Sequence, residues 1–261
     1  MKSQELLTQL DRSKLKPAQL RHQRDNVTRS LLKRSDILKA EAFKHISTRD
    51  LAILFEVVDQ EYFGGCCAQT LEEQNATLSF RLSKRMTSCG GTTTLEYESK
   101  SRAQSVEAEQ KKFEIAVATT LLFNTFRVRK SAKVGGVNCH SSLEALTRIM
   151  EHEMVHLIEL LLWDDSNCSG KRFQQISWRR FGHLESNHQL LTPADIAKAS
   201  YGIRAGDKVA FRFEGKRHVG WVNRITKRAT VLVENERGIQ YSDGHRYLKY
   251  YVPLSQLKKR R

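Results

Sequence analysis

No apolar run in the 261 residues reaches the roughly 18 to 20 that a bilayer-spanning helix needs, which excludes a helical membrane span. Met1-Lys2-Ser3-Gln4-Glu5 leads into a mixed polar segment rather than a signal-peptide core. We therefore expect a soluble, cytoplasmic protein, nucleoid-associated if bacterial, with no membrane partner. The five cysteines, Cys66, Cys67, Cys89, Cys139 and Cys168, include no C-x-x-C pair, so neither a zinc ribbon nor a redox loop is expected and the thiols should be reduced. There is also no internal repeat and no low-complexity tract. With 39% hydrophobic residues, the length suffices for one full core and a smaller satellite domain.

Net charge is scarce in the centre and concentrated at the ends. Residues 1 to 45 carry 11 Lys/Arg against 5 Asp/Glu, residues 46 to 201 carry 18 against 19, and residues 202 to 261 carry 15 against 5. Two basic flanks around a neutral centre attract polyanions, and nucleic acid is the partner they suggest most strongly.

Scattered leucines up to about Lys39 predict one or two weak helices or a partly ordered N-terminal arm, placed at residues 1–45. Ser47 or Thr48 can cap a helix with Leu51, Leu54, Phe55 and Val58 at helical spacing, closed by Gly64-Gly65. Ala76 to Leu82 and Thr92 to Tyr97 suit strands joined by a turn at Cys89-Gly90-Gly91, and Phe113 to Ala118 is a third. Between them, Glu98 to Lys112 looks like an exposed insertion. After a loop from Arg127 to Gly136, Ser141 or Ser142 can start a long helix to about Trp163, with a second over Gly170 to Phe181. A short third begins at Thr192-Pro193 and closes at Gly202.

From Ile203 the period becomes two, with turns at Glu214-Gly215, Arg237-Gly238 and Asp243-Gly244, which predicts a small SH3-like β-barrel over residues 202–261. Trp221, Tyr241, Tyr247, Tyr250 and Tyr251 lie among Arg224, Lys227, Arg228, Arg246 and Lys249. That interleaving suits base stacking and phosphate binding, and equally suits a small barrel with an aromatic core and a basic outside.

His152-Glu153-Met154-Val155-His156 carries the chemistry. A spacing of four puts both imidazoles on one helix face, where they can chelate one ion, and Glu153 within reach of a water on it. Burying two histidines and an acid in an otherwise apolar helix is costly unless something pairs with them, and a zinc ion with its water would satisfy all three. A catalytic zinc needs a third protein ligand. The candidates are Cys168, twelve residues past His156; Glu159, on the same helical stripe; and His183 or His188, beyond the following helix.

Four ordered blocks then resemble the SprT-like, or Spartan, zinc metalloproteases over about residues 47 to 182. Leu54 to Gly65 looks like the helix before the family's first strand, and Arg85-Met86-Thr87-Ser88-Cys89-Gly90-Gly91 is similar to its Arg-Met-Thr-x-Cys-x-Gly turn. Glu114 to Leu122 resembles the strand and helix start before the metal helix, and His152 to His156 is similar to the metal helix. The family's third ligand is a His followed by Gly and an aromatic; here the stretch is Asn167-Cys168-Ser169-Gly170-Lys171-Arg172-Phe173. An ungapped match puts Ser169 at the ligand position and a one-residue shift puts Cys168 there. The zinc-ribbon, ubiquitin-binding and clamp-binding tails of relatives are missing, and the basic module stands in their place.

The resemblance implies an α+β, zincin-like peptidase domain over residues 46–201, with zinc on His152 and His156 and with Glu153 as general base, and we take Cys168 as the third ligand. Its substrates would be proteins bound or crosslinked to DNA, as in DNA–protein crosslink repair. Two other readings remain open: a non-catalytic nucleic-acid-binding protein with a structural or degenerate zinc site, and a peptidase whose basic flanks bind ribosome or RNA with no DNA role.

Overall fold

The computed structural model describes residues 2–98 and 110–260 of a mixed α+β chain, which divides into two compact units, Met1–Leu190 and Leu191–Arg261. The first begins with helices α1 (Lys2–Asp11) and α2 (Pro17–Arg34). Neither is a loose arm. Leu6, Leu10, Leu20, Val27 and Leu31 are buried in the same core as the rest of the unit, which outweighs the weak amphipathic pattern of these helices taken alone.

Helix α3 (Thr48–Phe63) starts where its cap predicts: Ser47 Oγ accepts the Asp50 N–H at 3.2 Å and Asp50 Oδ2 accepts the Ser47 N–H at 2.7 Å. Gly64, at φ +64°, ends it in the left-handed region. Helix α4 (Cys66–Glu73) follows and has no cap of its own. The Asp59 carboxylate supplies one from α3 by accepting the Cys67 and Ala68 N–H groups at 3.0 and 2.9 Å. Burial raises the Asp59 pKa, and those two hydrogen bonds oppose the shift.

Strands β1 (Thr77–Ser83), β2 (Gly91–Glu98) and β3 (Gln110–Ala118) make one sheet in the order β1-β3-β2. β3 is therefore central, parallel to β1 from Thr77↔Lys112 to Ser83↔Ala118 and antiparallel to β2 from Gly91↔Val117 to Glu98↔Gln110. The turn at Cys89-Gly90-Gly91 links strands that are not neighbours, and β2 is left on an edge. Most of the expected insertion, residues 99–109, lies outside the described residues; β3 already begins at Gln110.

Helix α5 (Thr119–Val128) leaves β3 directly, and the hairpin of β4 (Ala132–Val134) and β5 (Val137–Cys139) leads to α6 (Ser142–Trp163). Ser141 Oγ caps α6 by accepting the Glu144 N–H at 3.1 Å. Its length carries Leu143, Leu146, Met150, Met154, Leu157 and Ile158 through the core. Helix α7 (Lys171–Ile176) packs on α6 and continues as a π-helical turn over Ser177–Phe181, closed by Gly182 at φ +69°.

A buried polar triad crosses this unit. Arg148 Nη2 lies 2.8 Å from Glu151 Oε1 as an ion pair and His183 Nε2 donates to Glu151 Oε2 at 2.8 Å, with all three side chains under 5% exposed. One carboxylate thus compensates a buried guanidinium and orients a buried imidazole.

In the second unit, α8 (Pro193–Tyr201) is capped by Thr192 and closed by Gly202. A five-stranded antiparallel sheet follows: β6 (Lys208–Phe213), β7 (Lys216–Ile225), β8 (Ala229–Gln240), β9 (Arg246–Val252) and β10 (Lys258–Lys259), ordered β10-β6-β7-β8-β9. Ala197 of α8 shares a core with Val209, Phe211, Val222, Val231 and Val252, so the helix expected to end the first domain belongs with this sheet. Tyr250 lies on that core side against Phe211 and His218, at ring distances of 5.2 and 4.9 Å. The Tyr247 hydroxyl donates to Asp243 at 2.9 Å, and Tyr241 packs on the Tyr247 ring. Trp221 and Tyr251 are exposed on the opposite face. No helix among the described residues is long and apolar enough to cross a membrane.

Glu151→Gln leaves the Arg148 guanidinium buried without a counter-charge and should cost about 3–5 kcal/mol, read as a lower urea midpoint for unfolding. An unchanged midpoint would show that the triad does not hold this core together.

Candidate metal centre

Helix α6 presents His152 and His156 one turn apart, with ring centroids 5.0 Å from each other. Phe173 of α7 lies 4.8 and 4.6 Å from the two rings and limits their rotation. Cys168 comes from the loop joining the two helices. One donor atom from each of His152, His156 and Cys168 falls within 4.8 Å of the others, so the three could hold a metal ion. Two neutral nitrogens and a sulfur suit a borderline-soft cation better than a hard one such as Mg²⁺ or Ca²⁺.

Hydrogen bonding fixes which nitrogen of His156 is available. Its Nδ1 lies 2.7 Å from Ser166 Oγ, and Ser166 Oγ donates to Glu159 Oε2 at 2.7 Å. The hydroxyl has one proton and gives it to the carboxylate, so Nδ1–H of His156 must donate to Ser166, which leaves the Nε2 lone pair for a cation. Glu159, only 1% exposed, is held in turn by Arg172 Nε at 2.7 Å and the Asn167 N–H at 3.3 Å. Its oxygens are committed to that network. It therefore orients a histidine instead of joining the donor cluster.

The other two candidates stand elsewhere. His183 is buried against Glu151, as described above. His188 lines the same cleft of about 610 Å³ as His152, Glu153, His156 and Cys168, but its Nδ1 accepts the Leu190 N–H at 3.3 Å and it is outside the donor cluster.

Glu153 points from α6 toward the start of β2. Its Oε2 accepts the Thr93 hydroxyl at 2.9 Å. Gly91 is what admits it there: a Cβ at that position would sit 2.6 Å from Glu153 Oε1 and displace the carboxylate. Burial raises the Glu153 pKa to about 8 against the opposing Thr93 hydrogen bond. It lowers His152 to about 3, with His156 adding to the effect, and lowers His156 despite the nearby Glu159. Both imidazoles are thus in the neutral, lone-pair form at neutral pH.

Ser166 and Thr93 have no signal of their own in the sequence, and Phe173 figures there only as the aromatic that closes the Asn167–Phe173 stretch. Gly91 does, as part of the Cys89-Gly90-Gly91 turn, though its service to Glu153 appears only in three dimensions. Compared with family models, curated proteins and solved structures, the chain matches none. The chemistry of the site therefore rests on its own atoms.

Ser166→Ala removes the acceptor for His156 Nδ1–H and should weaken metal binding about 10–100-fold without changing the fold, measured by Zn²⁺ competition against a chromophoric chelator. An unaltered affinity would show that His156 needs no such support.

Proposed function

We propose that the chain is a zinc-dependent metallopeptidase of the SprT-like type, a zincin-like catalytic unit joined to an SH3-like nucleic-acid-binding unit, acting on proteins bound or crosslinked to DNA. The observation that carries the peptidase assignment is the convergence of His152, His156 and Cys168 in one cleft with the buried Glu153 carboxylate. His152, His156 and Cys168 would hold a zinc ion, which would supply a Lewis acid for water and for a peptide carbonyl. Thr93 occupies Oε2 of Glu153, so in the ionised carboxylate Oε1 is the atom that would take the proton from the attacking water and return it to the leaving amine. Strand β2 lies along the cleft with Gly91, Thr93, Leu95 and Tyr97. Among the described residues it is an edge strand, with backbone groups available to pair with an extended substrate.

Support for the nucleic-acid partner comes from the outward face of the second unit. Sheet register puts Lys208, Trp221, Leu232 and Lys249 in one row and Arg224, Thr230 and Tyr251 in the next. Trp221 and Tyr251 are 46% and 66% exposed, and Lys208 Nζ lies 5.3 Å from the Trp221 ring centre. Exposed rings among cations suit bases and phosphates of a single strand.

Two outcomes test the proposal. Glu153→Gln should keep the bound zinc and lose casein hydrolysis by more than about a hundredfold, since only proton transfer is removed. Retained hydrolysis would place the chemistry elsewhere; a zinc-loaded wild type that cleaves nothing would favour the non-catalytic alternative. Independently, Trp221→Ala or Tyr251→Ala should weaken binding to a labelled single strand by about 1–3 kcal/mol per lost stack. Wild-type affinity should fall steeply with salt, at a log-log slope near roughly −3.5 if about five cations touch phosphate. A flat salt response would remove nucleic acid from the assignment.

A further inference from the structure

A second concave site lies at the other end of α6, about 15 Å along the axis from His152 at 1.5 Å per residue. Its volume is about 570 Å³. The floor is apolar: Phe43, Phe123 and Phe126 line it, and the first two meet edge-to-face at 5.8 Å. The rim is cationic. Lys44, Arg127, Arg129 and Lys130 surround the floor, and no acidic side chain lines the groove among the described residues.

Among the described residues these cations are not spent on internal ion pairs. Arg127 donates to the neutral Asn124 amide at 3.0 Å, and no ion pair among the described residues involves Lys44, Arg127, Arg129 or Lys130. The capped N-terminus of α6, at Ser141 and Ser142, opens on the same groove and adds the positive end of a 22-residue helix. A hydrophobic floor inside an uncompensated positive rim is complementary to a chain that is apolar at one point and acidic around it.

We propose that this groove is a docking site for an acidic protein segment that inserts one bulky apolar side chain between Phe43, Phe123 and Phe126 and sets carboxylates against Lys44, Arg127, Arg129 and Lys130. Four cations around one groove call for several anionic groups along an extended chain rather than one head group. The concave phenylalanine floor takes a side chain inserted end-on, unlike the flat exposed rings of the second unit. The groove shares no residue with the metal centre, so the inference stands whether or not the chain is a peptidase.

The test uses the full chain and a labelled peptide of alternating Glu and Ser with one central Trp. Saturable binding is expected, weakened at least about tenfold by the exposed double reversal Arg129→Glu/Lys130→Glu and by replacing the peptide's Trp with Ala; tenfold corresponds to about 1.4 kcal/mol. Phe126→Ala should weaken it as well, with circular dichroism confirming an unchanged fold. Absence of saturable binding, or binding indifferent to the double reversal, would overturn the proposal. So would a single-stranded oligonucleotide whose affinity falls in the double reversal but not in Trp221→Ala, since nucleic acid would then be the occupant.

Discussion

Desolvation of the polar groups along α6 governs what can pack around it. The helix is the spine of the first unit, and apolar side chains cover most of its length. Yet Arg148, Glu151, Glu153 and Glu159 are each no more than 4% exposed, and His152 and His156 are half-buried among them. Each would carry a penalty of several kcal/mol if left without a partner. Much of that demand is met one residue at a time: Arg148 and Glu151 pair with each other and His183 donates to Glu151, Thr93 serves Glu153, and Ser166, Asn167 and Arg172 serve Glu159. On the cleft side of this helix, the lone pairs of the two imidazoles and Oε1 of Glu153 remain for a group from outside.

This division separates support from function along a single helix. The Glu151 side rigidifies the junction with the π-helical turn and the segment after it, through contacts that are wholly buried. The Glu159 side does the same for the loop bearing Cys168, because Ser166, Asn167 and Arg172 come from the segment around that cysteine. Restraining the loop at three points brings a thiol toward two histidines at modest entropic cost, which is how a site with ligands from a helix and a loop can be ready before a metal arrives.

How much of this was legible in the sequence follows from how local each interaction is. Helices α3 and α6 could be read because Ser47 and Ser141 are capping residues ahead of a regular apolar stripe, and α3 also ends on Gly64. Helix α4 could not, since its cap is the Asp59 side chain of the preceding helix. The insertion of β3 between β1 and β2 is a non-local pairing, and residue order alone gives β1 and β2 as neighbours. The docking of α1 and α2 into the core escapes a pattern argument because few of their residues are apolar. At the site, the His-Glu-His spacing is local and plain. Glu159 shares its stripe, and spacing cannot separate a ligand from a support; Ser166 and Arg172, beyond the end of the helix, decide the matter. Among the aromatics of the second unit, strand alternation with a bulge between Val222 and Arg224 sets Trp221 and Tyr251 on one face and Tyr250 on the other.

The central claim is that His152, His156 and Cys168 form one metal site. Zinc-edge X-ray absorption on the reconstituted protein tests it most directly. One sulfur at about 2.3 Å together with two imidazole nitrogens at about 2.0–2.1 Å is the predicted shell, and the sulfur should vanish in Cys168→Ser. A sulfur-free shell in the wild type, or no stoichiometric zinc at all, would contradict it.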